Sequence, residues 1–203
     1  MHWINAMTAW LRRQKNRMGG KPQPISEDKD RLLTEYFGTA LHYQVAARYS
    51  AAAWFTPAAG NLAHHAIEFY LKGALIKKLD EKVRRKFRHN LPRLWRLYKK
   101  ERSNPALDKF DQTIRDVNKF ERIRYPEEIF RLGMLAEIGF ARSPSPPPGA
   151  KAPPGERYVL ALDEVDELVK LIFQIEGLNP QFFIGRLNEH GKRYLDHQTR
   201  FPM

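Results

Sequence analysis

The chain has 203 residues, a length that predicts one domain, and its apolar fraction of 42% is too high for a disordered polymer. It contains no cysteine, which excludes disulfides, thiolate nucleophiles and thiolate metal sites. Its net charge of +12 fits either a polyanionic partner or general basicity, and charge alone does not choose between them.

The first segment reads as a basic arm. Trp3, Ile4, Met7, Trp10 and Leu11 form a short apolar patch, followed by Arg12, Arg13, Lys15 and Arg17. That order of charge is the reverse of a secretory leader, and no apolar run is long enough for a bilayer, so the expected location is cytoplasmic. Gly19-Gly20-Lys21-Pro22-Gln23-Pro24 then breaks any helix and reads as a linker. The expected division is a basic segment and linker over 1–25, a helical bundle over 26–141, a proline-rich loop over 142–156, and C-terminal helices packed on the bundle over 157–203.

Ser26 is the expected N-cap of a first helix, with Glu27, Asp28 and Asp30 complementing the helix dipole. Leu32, Tyr36, Phe37, Ala40, Tyr43, Ala47 and Ala51 recur at three- and four-residue spacing and predict a long helix. Thr56-Pro57-Ala58-Ala59-Gly60 reads as an interruption, after which Asn61 is expected to cap a second helix running to Leu79. Its stripe is Leu62, Ala66, Phe69, Tyr70, Ala74 and Leu75, and a short loop should pack the two helices antiparallel.

A third helix is expected after His89-Asn90, with Pro92 in its first turn and Leu91, Leu94, Leu97 and Tyr98 inward. A fourth runs from Asn104-Pro105 through Leu107, Phe110, Ile114, Val117 and Phe120. Beyond the proline-rich loop, Tyr158 to Leu162 is compatible with a strand, but a lone strand is not expected to persist. Asp163 is expected to cap a helix bearing Val165, Leu168, Val169, Ile172 and Phe173, and Asn179-Pro180 opens a last helical piece. The predicted fold class is all-α, an up-and-down bundle of four to six helices.

On the second helix His65, Glu68 and Lys72 stand at i, i+3 and i+7, which places them on one side of the cylinder beside the apolar stripe. They read either as a half-exposed ion pair or as fixed polar points in a cleft between helices. His64 and His65, with His42 and His89 elsewhere, suggest a metal only weakly, because no His-Glu-x-x-His element accompanies them, and neither metal nor cofactor is expected.

The densest charge lies in Lys82, Arg84, Arg85, Lys86, Arg88, Arg93, Arg96, Lys99, Lys100 and Arg102, opposed by Glu81 and Glu101. On the third helix Arg93, Arg96 and Lys100 should face outward, with Trp95 at the boundary as a stacking surface. The alternatives are a solvated face and a phosphate-binding face. Near the end of the fourth helix Arg122, Arg124 and Tyr125 come together, either pairing back to Glu68 or lining the same cleft. No Walker loop, nucleophile elbow or dinucleotide fingerprint is present.

The run His65-Ala66-Ile67-Glu68-Phe69-Tyr70-Leu71-Lys72-Gly73-Ala74, followed by His89-Asn90-Leu91-Pro92-Arg93-Leu94, resembles the HEPN domain (higher eukaryotes and prokaryotes nucleotide-binding). Tyr43, Ala46 and Ala47 fit that family's first helix, and the resemblance spans roughly Leu32 to Glu127. The sequence departs from the family pattern at Asn90, where aspartate is usual, and at Gly73, where alanine is usual. The resemblance implies a HEPN-like helical bundle, a homodimer, and a partner that is RNA, a nucleotide or another protein. Many members are metal-independent ribonucleases with an Arg-x4-6-His motif.

Three functional readings follow. The leading one is binding of RNA, a nucleotide or a protein partner through a cleft beside His65, Glu68, Lys72 and His89 and the adjoining face of Arg93, Arg96, Lys100, Arg122, Arg124 and Tyr125. The second is a metal-independent endoribonuclease of a toxin or defence type, with Arg84 and His89 as its catalytic pair by the Arg-x4-His count. The third is a homodimeric scaffold that docks through Trp3, Met7 and Trp10.

Overall fold

The computed structural model describes residues 29–80, 87, 89–122, 127, 134–139 and 156–195. The N-terminal arm, the linker, the Ser26 cap and residues 142–155 of the proline-rich loop lie outside them.

Two long helices form the centre, α1 (Lys29–Ala52) and α2 (Thr56–Ala74). Asp30, at the start of α1, lies 2.7 Å from Lys77, just past the end of α2, so the helices run antiparallel as expected. They approach closely at Gly73, where an added Cβ would sit 2.9 Å from both Phe37 Cδ2 and Tyr36 Cβ.

The start of α2 differs from expectation. The helix begins at Thr56 rather than at Asn61, because Pro57 occupies the first turn, where a missing N–H costs nothing. Gly60 is a point of close packing rather than a breaker, since a Cβ there would overlap the Phe120 ring at 1.8 Å. Asn61 sits inside the helix, and its Nδ2 donates to the Phe120 carbonyl at 3.2 Å. The helix ends at Ala74, and Leu75 to Leu79 continue as turns.

Helix α3 (Leu91–Arg102) opens as predicted: Asn90 accepts a side-chain cap bond from the Arg93 amide at 3.0 Å, with Pro92 in the first turn. The expected fourth helix is two pieces, a 3₁₀ turn (Pro105–Phe110) capped by Asn104 and then α4 (Asp111–Lys119). Trp95 is buried rather than a stacking surface, and its indole N–H donates to Asp111 Oδ1 at 2.6 Å. An acceptor supplied by the neighbouring helix lets the indole enter the core.

A second correction concerns the strand. Residues Glu156–Ala161 form β2, paired in parallel with β1 (Met134–Gly139), with Met134 opposite Glu156 and Gly139 opposite Ala161. The segment is therefore not a lone strand: β1 satisfies one edge, and Tyr158 and Leu160 enter the core at 0% and 1% exposure. The next helix, α5 (Leu162–Ile175), follows directly, so Asp163 lies in its first turn rather than at its cap. Two short helices close the described chain, α6 (Pro180–Ile184), capped by Asn179, and α7 (Glu189–Arg193).

The core gathers Phe37, Tyr70, Phe173 and Phe183, with Phe37 ring centroids 5.3 Å from Tyr70 and 5.1 Å from Phe173. A chain of buried polar groups crosses it. Tyr70 donates to Gln44 Oε1 at 2.9 Å, Gln44 donates to Asp166 Oδ1 at 2.6 Å, and Arg48 pairs with the same aspartate. The protein is thus mostly helical, with a small two-stranded sheet at one edge. Among the described residues, no helix is long and apolar enough to cross a membrane.

Candidate functional site

The polar edge of α2 converges on one carboxylate. Glu68 is 1% exposed, and its Oε2 lies 3.0 Å from His89 Nδ1, 3.4 Å from His65 Nδ1 and 3.8 Å from His64 Nε2. Lys72, one turn on, donates to the other oxygen, Oε1. His89 reaches the cluster from the residues that precede α3, and its side chain remains 47% exposed. Burial alone would raise the Glu68 carboxyl, but hydrogen bonds from His65, Lys72 and His89, with the Lys72 charge, hold it down at about 2. The cluster therefore encloses an anion beneath an exposed imidazole.

His64 has a different environment. It is fully buried, and neither ring nitrogen makes a well-formed hydrogen bond among the described residues, although the Val117 backbone stands close enough to favour a proton on the ring. Burial is the main cause that lowers its pKa to about 4, with Glu68 opposing the fall and His65 adding to it. Its Nε2 lies 3.8 Å from Glu68 Oε2 and 3.8 Å from Glu121 Oε2. One ligand atom each from His64, Glu68 and His89 falls within 4.8 Å of the others, so these three residues have the spacing to hold a metal ion.

Beside the cluster runs α3. Two of its cations are neutralised inside the fold: Lys99 bonds Asp108 and Asp111, and Arg102 bonds Glu176 at 2.7 Å. Arg93, Arg96 and Lys100 are exposed and have no ion pair among the described residues. The Arg93 guanidinium lies 4.9 Å from the Phe87 ring centroid, which places a cation close to His89 in sequence and over an apolar support.

The structure thus brings together His65, Glu68, Lys72 and His89, and it lays Arg93, Arg96 and Lys100 along one exposed face. Glu68 is buried beneath its partners rather than lining an open cleft. Arg122 is exposed beyond α4. Arg84, Arg124 and Tyr125 lie outside the described residues. From the sequence, His64 was weighed only as a weak metal ligand, and Glu121 was given no role. The signal for His64 was its i, i+4 spacing to Glu68, which sets both on one helix face without a His-Glu-x-x-His string.

A helical bundle built on two long antiparallel helices, with a buried carboxylate gripped by histidines, defines the class. Residues 33–135 match the HEPN domain, and the chain belongs to that family, one of nucleotide-binding and ribonuclease domains. No curated protein and no solved structure matches the chain.

Proposed function

We propose that the protein binds RNA through its phosphates, which lie along the exposed face of α3, with His89 and the Glu68 cluster at one end of the track. One observation carries the reading: on a single helix, Lys99 and Arg102 are consumed by internal carboxylates while Arg93, Arg96 and Lys100 are left exposed and without an ion pair among the described residues. A general excess of basicity gives no reason for that division. From Arg93 to Lys100 the strip takes seven helical steps, a rise of about 10 Å, which is longer than one phosphate group and favours a polymer over a mononucleotide.

The chemistry suits the task. Guanidinium forks bind phosphate oxygens with paired hydrogen bonds, and each phosphate neutralised releases counterions. Glu68 fixes the His89 ring at Nδ1, so its imidazole enters a complex already oriented, at less entropic cost.

The test is fluorescence anisotropy of a labelled single-stranded RNA against wild type and the Arg93→Gln/Arg96→Gln/Lys100→Gln variant. The variant should lose at least tenfold in affinity, and an unchanged affinity contradicts the reading. The same RNA, recovered after incubation in EDTA, should be intact. Cleavage that disappears in His89→Ala would replace simple binding with metal-independent hydrolysis.

A further inference from the structure

We infer that His64, Glu68 and His89 form a binding site for a single transition-metal dication of the zinc class, with Glu121 next to it as a fourth donor. The inference goes beyond RNA binding and does not depend on it.

The starting point is His64. A buried imidazole whose nitrogens make no well-formed hydrogen bond, with only a loose approach to the Val117 backbone, forfeits much of what it would gain in water, at a cost of about 1 to 3 kcal/mol. Native interiors rarely leave such a group without a purpose. Its Nε2 is directed between two carboxylates, Glu68 Oε2 and Glu121 Oε2, each at 3.8 Å. A neutral imidazole beside carboxylate oxygens is a donor set that suits zinc and its neighbours, whereas magnesium and calcium prefer oxygen alone.

The spacing also fits. Bonds of about 2.0 to 2.2 Å in a tetrahedral shell set neighbouring ligand atoms about 3.3 to 3.6 Å apart. The observed separations of 3.0 Å for His89 to Glu68 and 3.8 Å for His64 to Glu68 bracket that range, and all three ligand atoms lie within 4.8 Å of one another, so the exposed His89 ring would swing in to close the shell. His64 and Glu68 share one helix face, which places two ligands on a rigid support, and His89 arrives from a separate element.

The titratable groups around the site are Glu121, Lys72 and His65, whose Nδ1 lies 3.4 Å from Glu68 Oε2. Lys72 pairs with Glu68 Oε1, the oxygen turned away from the histidines, so the lysine supports Glu68 without occupying the position of the metal. That arrangement resembles the outer hydrogen bonds that orient metal-binding carboxylates.

The experiment uses the full chain without an affinity tag, stripped with a chelator and dialysed. Zinc is titrated by calorimetry, and cobalt is titrated while the visible absorption that reports tetrahedral coordination is recorded. One equivalent of zinc should bind with micromolar affinity or better and raise the melting temperature, and cobalt should give the tetrahedral spectrum. His89→Ala changes an exposed side chain and should remain folded, with affinity lowered at least tenfold. His64→Gln should show the same loss. Absence of zinc binding by wild type, or binding unchanged in His89→Ala, overturns the site. The Arg93→Gln/Arg96→Gln/Lys100→Gln variant should bind zinc as wild type does, so failure of the metal site and failure of the RNA reading are separately visible.

Discussion

His89 Nδ1 lies 3.0 Å from Glu68 Oε2, so an imidazole that faces solvent is held by a carboxylate that is almost wholly buried in α2. The dependence is unequal. Glu68 has three nitrogen partners, and removing its charge releases His65, Lys72 and His89 together. Glu68→Gln should cost about 2 kcal/mol of stability, because a buried network is broken while Lys72 keeps some access to water. His89→Ala should cost less than about 1 kcal/mol, since the lost partner is half exposed. Urea denaturation of the two variants measures the difference.

Acid should weaken the metal-free fold in two stages. His64 is held neutral by burial, with its pKa lowered from 6.5 to about 4. A group with a depressed folded pKa takes up its proton more readily when unfolded, so stability falls as pH drops through this window. Glu68 is depressed from 4.5 to about 2, so its contribution is complete above pH 4.5 and is lost as pH falls toward 2. Urea midpoints followed from pH 7 to pH 3 in EDTA should decline first between about 6.5 and 4, and His64→Gln should abolish that first decline. Lys72, His65, His89 and Glu121 face the cluster and remain in the variant. A flat profile across that window would contradict the burial of a neutral His64.

Two glycines on α2 should respond differently to alanine. At Gly60 the added methyl overlaps the buried Phe120 ring, and Gly60→Ala should cost about 2 to 3 kcal/mol by overpacking. At Gly73 the nearest atoms stand at 2.9 Å, and the gain in helix propensity opposes the crowding. Because Tyr36 Cβ moves only with its backbone, the crowding prevails, and Gly73→Ala should cost about 1 to 2 kcal/mol, less than Gly60→Ala. Thermal denaturation of the two variants ranks them.

The Arg48–Asp166 pair ties α1 to α5 in a buried position, with side chains 4% and 11% exposed. Asp166→Ala should destabilise by about 3 kcal/mol, because the buried Arg48 guanidinium loses this counter-charge and Gln44 loses the acceptor of its amide, although Arg48 keeps its bond to the Tyr194 carbonyl. Arg48→Met/Asp166→Leu should recover much of that loss, since two apolar groups leave no orphaned charge.

How far the sequence foretold this molecule depended on whether the deciding contact was local. The apolar spacing of α1 and the Asn90 cap of α3 are local, and both were legible. The start of α2 was misjudged because Pro57 and Gly60 carry the same residue types as a break, whereas here one fills a first turn and the other makes room for Phe120. The β2 strand depended on β1, a partner distant in sequence whose own residues show no clear alternation. Trp95 was placed at the boundary, as a stacking surface, because its acceptor, Asp111, belongs to another helix. In the site, the spacing of His65, Glu68 and Lys72 announced a shared face. The approach of Glu121 to His64 joins separate elements, and no spacing along the chain encodes it.

The central claim, that α3 presents a phosphate-binding strip, is tested most directly by the salt dependence of RNA affinity. The logarithm of the association constant should fall linearly with the logarithm of salt concentration, and neutralising Arg93, Arg96 or Lys100 singly should each reduce the slope by about 0.7 to 1. A slope near zero in wild type, or a wild-type slope unchanged in the triple variant, would contradict it.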